Sequence, residues 1–189
     1  PYGPQQYSGE DESIILDFES QVKNAISGIS LIASADNMQR GCMALNTVAP
    51  QSFNNEDEFR AAKKQSEVIR DTMETTHTYL ITHGLGNSMR NAEKLGLLGP
   101  EVSLAHCSGL TGDDIATISR TGARVVHCPR ARSIIKARCP VPELLDSGVL
   151  VSIGSDGNSP DRSFDLFEDV KMVLKLHRTY AGSSHVLPP

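Results

Sequence analysis

Residues 101–129 read EVSLAHCSGLTGDDIATISRTGARVVHCP, and this stretch decides the fold. It opens on the apolar run Val102-Ser-Leu-Ala-His106-Cys107 and closes on Ala123-Arg-Val-Val-His127-Cys128-Pro129. Short runs of this kind, bounded by turn formers, predict buried strands. Between them, Thr111 is followed three residues later by Asp114, which predicts a capped helix start, and Thr121-Gly122 predicts its end. Strand, helix and strand in so little chain make a βα unit, whose strands run parallel.

The unit repeats on both sides. Downstream, Val141 to Gly148 predicts a short helix. Val149-Leu-Val-Ser-Ile-Gly-Ser-Asp156-Gly157 then predicts a strand. A last helix carries Phe164, Phe167, Val170, Val173 and Leu174. Upstream, Thr78-Tyr-Leu-Ile-Thr-His83-Gly84 predicts a strand, followed by a helix around Ser88–Leu95. Before it, Asn54 or Asn55 caps a helix that runs to about Met73 and buries Phe59, Ala62, Val68 and Ile69. Residues 41–48 predict another strand. Ile14, Ile15, Phe18, Val22 and Ile26 recur at helical spacing, with Ser8 or Ser13 as the cap. Five strands thus end near residues 48, 83, 107, 128 and 155. That number suits a doubly wound sheet or a segment of barrel. No GxGxxG or Walker A loop is present, and the polar strand ends favour an arc of a (β/α)8 barrel.

Those strand ends carry the chemistry. His83, His106, His127 and Asp156 close four consecutive apolar runs. The C-terminal ends of barrel strands face one mouth, where such folds keep their active sites. Imidazole and carboxylate are also the usual ligands of a hydrolytic metal. His127 either ends its strand or reaches a substrate. Arg130 shares a loop with Arg132, Lys136 and Arg138. It is either solvated or positioned for a substrate carboxylate or phosphate, which its forked donors suit. His77 at a strand start reads as structural, and His177 and His185 read as surface residues.

Composition narrows the task. The chain has 189 residues, 39% of them hydrophobic, and a net charge of −5 with both signs interspersed. Nucleic acid and anionic membranes are poor partners for such a surface. No apolar run reaches the roughly 20 residues needed to span a bilayer. Cys42, Cys107, Cys128 and Cys139 form no CxxC pair. Cys107 and Cys128 read as reduced, buried thiols of a cytoplasmic protein.

The stretch LGLLGPEVSLAHCSGLTGDDIATISRTGARVVHCPRARS, followed by CPVPELLDSGVLVSIGSDGNSPDRSFDLFEDVKMVLKLHR, resembles the amidohydrolase superfamily. The branch is that of cytosine and guanine deaminases, adenosylhomocysteine deaminase and the triazine hydrolases. The LAHC, HCP and GSDG elements, in that order, carry the resemblance over about residues 77–180. It implies a (β/α)8 TIM-type barrel with one catalytic zinc or iron and a small-molecule substrate. The family's ligands are an HxH pair on the first strand, a His on the fifth and an Asp on the eighth. His83 takes the fifth-strand role, Asp156 the eighth, and His106 matches the sixth-strand His near water and substrate.

The chain departs from the family in two ways. It contains no HxH, so residues 1–189 are expected to be an internal piece. That piece would hold about strands four to eight, without the N-terminal strands and the C-terminal end. The deaminases also carry a proton-shuttling Glu three residues after the fifth-strand His. Here the stretch is His83-Gly-Leu-Gly86, so the resemblance does not extend to that shuttle. Two functions follow as expectations. One is a metal-dependent hydrolase of a C–N or similar bond in a small, heterocyclic molecule, acting through His106 and Asp156. The other is a non-catalytic barrel scaffold. An open arc with two sheet edges also predicts association, including homo-oligomers.

Overall fold

The computed structural model describes residues 17–34, 41–131, 137–157 and 163–187. Its strands are β1 (Met43–Thr47), β2 (Leu80–Leu85), β3 (Val102–Ser108), β4 (Arg124–His127) and β5 (Val151–Ile153). Its helices are α1 (Phe18–Ser34), α2 (Glu56–Thr76), α3 (Met89–Leu95), α4 (Gly112–Thr121), α5 (Val141–Asp146) and α6 (Leu166–Ala181). The strands lie side by side in sequence order, and all four pairings are parallel. Sequential parallel strands with intervening helices are the wall of a βα barrel, as the alternation predicts.

The caps form where the sequence puts them. The Asn55 side chain accepts from the Glu58 N–H at 2.8 Å. Thr111 and Asp114 complete a reciprocal capping box at the start of α4. Each such cap stabilises its helix by about 1 kcal/mol. The Ser8, Ser13, Ile14 and Ile15 expectations lie outside the described residues, as do those on Arg132 and Lys136.

Alternation separates the two faces of the sheet. Leu80, Leu104 and Val125 are fully buried, and the register puts them on one side with Met43 and Val102. This side meets the helices, and burying each large aliphatic contributes about 2 kcal/mol. The alternate residues face the other way. Ile81 is 45% exposed, and Ala44, Arg124 and Ser152 are exposed too. The described helices therefore cover one face and leave the other open.

Two helices are turned differently from their apolar pattern. In α2, Ile69 is buried but Val68 is exposed. In α6 the buried positions are Asp169, Val173 and His177. Phe164, Phe167 and Val170 instead face solvent, Phe167 at 79% exposure. The inward face of α6 goes to Asp169 and His177, which meet Arg130 and the His127 ring. His177 is consequently a core residue, contrary to its surface reading. No helix among the described residues is long and apolar enough to cross a membrane.

Candidate active site

β2, β3 and the loop after β5 bring three of the predicted side chains together. His83 stands near the C-terminal end of β2, and its Nδ1 meets the Asn46 backbone carbonyl of β1. A carbonyl only accepts, so Nδ1 carries a proton and Nε2 is the ring nitrogen left to face a ligand. The His106 ring stacks on His83, with centroids 5.0 Å apart and planes 8° from parallel. His106 Nε2 in turn lies 3.8 Å from Asp156 Oδ2. That distance is too long for a direct hydrogen bond and right for an ion pair or a bridging water.

Strict alternation would send His106 to the helix-covered face with Leu104. The backbone prevents it. His106 and Cys107 both take left-handed dihedrals, at φ 67° and 51°. The β2–β3 register shifts at that point, from Gly84↔His106 to Leu85↔Ser108. Such a bulge re-aims a side chain. It puts His106 over His83 and Cys107 into the core, where Cys107 is 0% exposed. A Cβ on Gly84 would lie 2.7 Å from Cys107 Sγ, so glycine opposite the bulge makes room for the thiol. Asp156 is left-handed as well, at φ 58°. Its Oδ1 accepts from the Gly157 N–H at 2.7 Å, and its side chain is 41% exposed. Each left-handed non-glycine residue costs on the order of 1–3 kcal/mol, and strain of this kind gathers at functional sites.

The donors fit a zinc-type ion in kind, as imidazole Nε2 and carboxylate oxygen. They do not complete a site. Among the described residues, no three His, Cys, Asp or Glu side chains stand close enough to hold a metal.

His127 and Arg130 lie apart from this group. His127 shares the helix-covered face with Val125 and meets the His177 ring edge-on at 5.6 Å. Neither His127 nitrogen nor His177 Nε2 has a hydrogen-bond partner in the protein. Burial, then the nearby His177 and His106, push the His127 pKa down to about 4 against the pull of Asp169. His177 is lowered by burial and by Arg138, with Glu143 opposing. Arg130 is engaged by α6. Its Nε and one terminal nitrogen grip the Asp169 carboxylate at 3.0 and 2.7 Å, and its other nitrogen reaches Glu168 at 2.7 Å.

Three contributors escaped the sequence reading: the Asn46 carbonyl, Asp169 and His177. The one available signal was the i, i+4, i+8 spacing of Asp169, Val173 and His177. Gly86, where the resemblance asks for Glu, is sterically fixed. A Cβ there would stand 1.9 Å from the Gly109 carbonyl oxygen. All four cysteines are free, three of them buried. Burial raises the Cys107 thiol well above its ordinary value and Cys139 to about 12.

Comparison with known proteins bears on this geometry. The model of the amidohydrolase family matches residues 64–189. The chain is 35% identical over 97 residues to a 5'-deoxyadenosine deaminase of Methanothrix thermoacetophila, a match covering 51% of this chain and 24% of that protein. It is 37% identical over 97 residues to a 5-methylthioadenosine/S-adenosylhomocysteine deaminase of Syntrophobacter fumaroxidans, covering 51% and 22%. Among solved structures, it superposes on an adenosine deaminase of Xanthomonas campestris with bound zinc, at a TM-score of 0.73 and 17% identity. That superposition covers 90% of this chain and 40% of the other. The matches thus span less than half of each known protein.

Proposed function

The chain belongs to the amidohydrolase family, and from that premise we propose that it carries part of the active site of a hydrolytic deaminase. The substrate class is a small heterocycle bearing an amino group, with adenine nucleosides first, because the similar deaminases are named for them. The observation that supports this reading is the convergence of His83, His106 and Asp156 on the open face of the sheet.

The reaction forms a C–O bond from water, breaks the C–NH2 bond and releases ammonia. Asp156 accepts a proton from the attacking water, its Oδ2 lying 3.8 Å from His106 Nε2. His106 carries a proton toward the leaving nitrogen. It does so without help from position 86, where a side chain would collide with Gly109. Asn46 holds the His83 ring in one tautomer and one orientation. One divalent metal, zinc or iron, held by His83 Nε2 and Asp156 together with donors beyond the described residues, would make water a stronger acid near neutral pH. Buried reduced thiols suit a reducing compartment, so the cytoplasm is the proposed setting.

A second reading is a barrel scaffold without catalysis. It is favoured by the lack of a three-donor group among the described residues. The test is ammonia release from adenosine, 5'-deoxyadenosine and guanine by the complete gene product, with zinc and iron content measured on the same sample. Turnover with one bound metal supports the deaminase. A metal-free, inert protein supports the scaffold.

A further inference from the structure

We infer that Asp114 is a positioning residue for His106: its buried carboxylate ties the loop after β2 to the loop after β3 and so preserves the bulge that turns the His106 ring over His83. This inference rests on the proposed role of His106 in a hydrolase.

The bulge is the weak point of the site. Before it, the β2–β3 ladder is regular from Leu80↔Val102 to Gly84↔His106; after it, one pair remains, Leu85↔Ser108. Cys107 is the extra residue of β3, and both it and His106 are left-handed. If the ladder slipped to a regular register, His106 would turn to the helix-covered face and Cys107 to the open face. Two left-handed residues that are not glycine favour that relaxation, so the surroundings must oppose it.

The strand ends supply part of the opposition. The Gly86 N–H donates to the Ser108 carbonyl at 3.2 Å. The two chains then diverge, since β2 ends at Leu85 and β3 at Ser108. A single pair and a single hydrogen bond fray readily.

Asp114 supplies the rest. It lies in the first turn of α4 and is 4% exposed. Its Oδ2 accepts from the Thr111 N–H at 2.9 Å and from the Thr111 hydroxyl at 2.8 Å. Capping α4 needs no more. The same carboxylate also reaches the other loop, where Oδ2 accepts from the Asn87 N–H at 2.8 Å and Oδ1 from the Met89 N–H at 3.3 Å. Asn87 is itself left-handed, at φ 63°. Ser88 folds the same turn back on the Leu85 carbonyl, donating its N–H at 3.3 Å and its hydroxyl at 2.7 Å. Asp114 thus grips the turn that follows Leu85 and the turn that follows Ser108, the two residues of the last pair. A carboxylate that accepts from the backbone of two loops fixes them against each other. Held in this way, β3 cannot pass its extra residue into the loop.

Cysteine labelling reads the bulge directly, because a slip exchanges His106 for Cys107 on the open face. The experiment uses the complete gene product with Asp114→Ala, Asp114→Asn and Thr111→Ala. Labelling by N-ethylmaleimide is followed at each cysteine by mass spectrometry, and kcat and KM are read with the best deaminase substrate. Cys107, Cys128 and Cys139 are buried and should label slowly in the parent protein. Asp114→Ala is expected to speed labelling of Cys107 by about tenfold or more, the mark of a local opening, with Cys128 and Cys139 unchanged. It should lower kcat by about 10- to 100-fold, the scale of a misplaced catalytic group, with KM within about threefold. Asp114→Asn keeps an acceptor oxygen and should recover part of both. Thr111→Ala removes the hydroxyl that caps α4 and spares the backbone donors, so Cys107 labelling and kcat should stay near the parent values. Should Asp114→Ala fail to fold, Asp114→Asn carries the same readouts. Equal effects of Thr111→Ala and Asp114→Ala would make Asp114 a helix cap alone and overturn the inference. So would slow Cys107 labelling in Asp114→Ala, faster labelling of all three buried cysteines together, or an unchanged kcat. Selective Cys107 labelling in a protein inert on every amine substrate would uphold the positioning and sink the deaminase reading instead.

Discussion

Two histidine pairs involve the strand ends of this sheet, one of them shared with α6, and their surroundings differ. His83 and His106 lie ring over ring at 5.0 Å on the open face, one nitrogen held by Asn46 and another facing Asp156. His127 and His177 meet edge-on at 5.6 Å beneath α6, with three ring nitrogens that have no partner in the protein. The residue type is the same, and so are the strand positions of His106 and His127. The difference is the face of the sheet each ring occupies. On the open face the imidazoles have oriented nitrogens, His83 Nδ1 on a carbonyl and His106 Nε2 toward a carboxylate. Under a helix an imidazole is kept neutral by burial. A histidine at a barrel strand end is therefore not a site by position alone.

The largest test of this contrast is catalytic. In the complete gene product, Asp156→Asn should cut kcat by about 10²–10⁴-fold, the range for losing a general acid–base group, and His127→Phe should change it little. Steady-state ammonia release measures both. A His127→Phe loss as large as that of Asp156→Asn would break the distinction between the pairs.

Acid should expose the buried pair next. The unfolded chain binds a proton at His127 below about pH 6.5, whereas the folded chain resists until about 4. Between those values the unfolded state holds more protons, so stability rises with pH and is lost on acidification. The His127 contribution at pH 4 is about 3 kcal/mol at most. Urea midpoints at pH 7 and pH 4.5 measure it. His127→Phe should flatten the difference, and an unchanged slope in that variant would place the acid sensitivity elsewhere.

The smallest effect is expected at His177. Replacing a buried ring whose Nε2 has no partner in the protein by an apolar one of similar shape is close to neutral, so His177→Phe should shift stability by within about 1 kcal/mol at pH 7. Thermal melts of the two proteins decide. A large loss would mean that His177 has a partner, a water or an ion, that makes it more than packing.

The sequence made the strands and the open-face group legible for one reason. Strand ends are marked by a change from apolar to polar residues, and His83, His106 and Asp156 sit at those changes. It could not show which way a strand-end side chain turns. The bulge at His106 and Cys107 depends on two left-handed residues that are not glycine, and no residue pattern announces it. The face that α6 buries was not legible for a related reason. Phe164, Phe167 and Val170 are apolar, but the helix is rotated by what waits for it, namely Arg130 and His127 seeking Asp169 and His177. A polar face turned inward is visible only once its partners are placed. Gly86 was legible as a departure from a motif, while the Gly109 carbonyl that forbids any larger residue there was not.

The most direct measurement is anomalous scattering at the zinc edge from crystals of the complete gene product loaded with zinc. The predicted peak lies about 2.0–2.2 Å from His83 Nε2 and an Asp156 oxygen, with none between His127 and His177. A zinc peak at the His127–His177 pair, or none at His83, would contradict the assignment of the catalytic group to the open face.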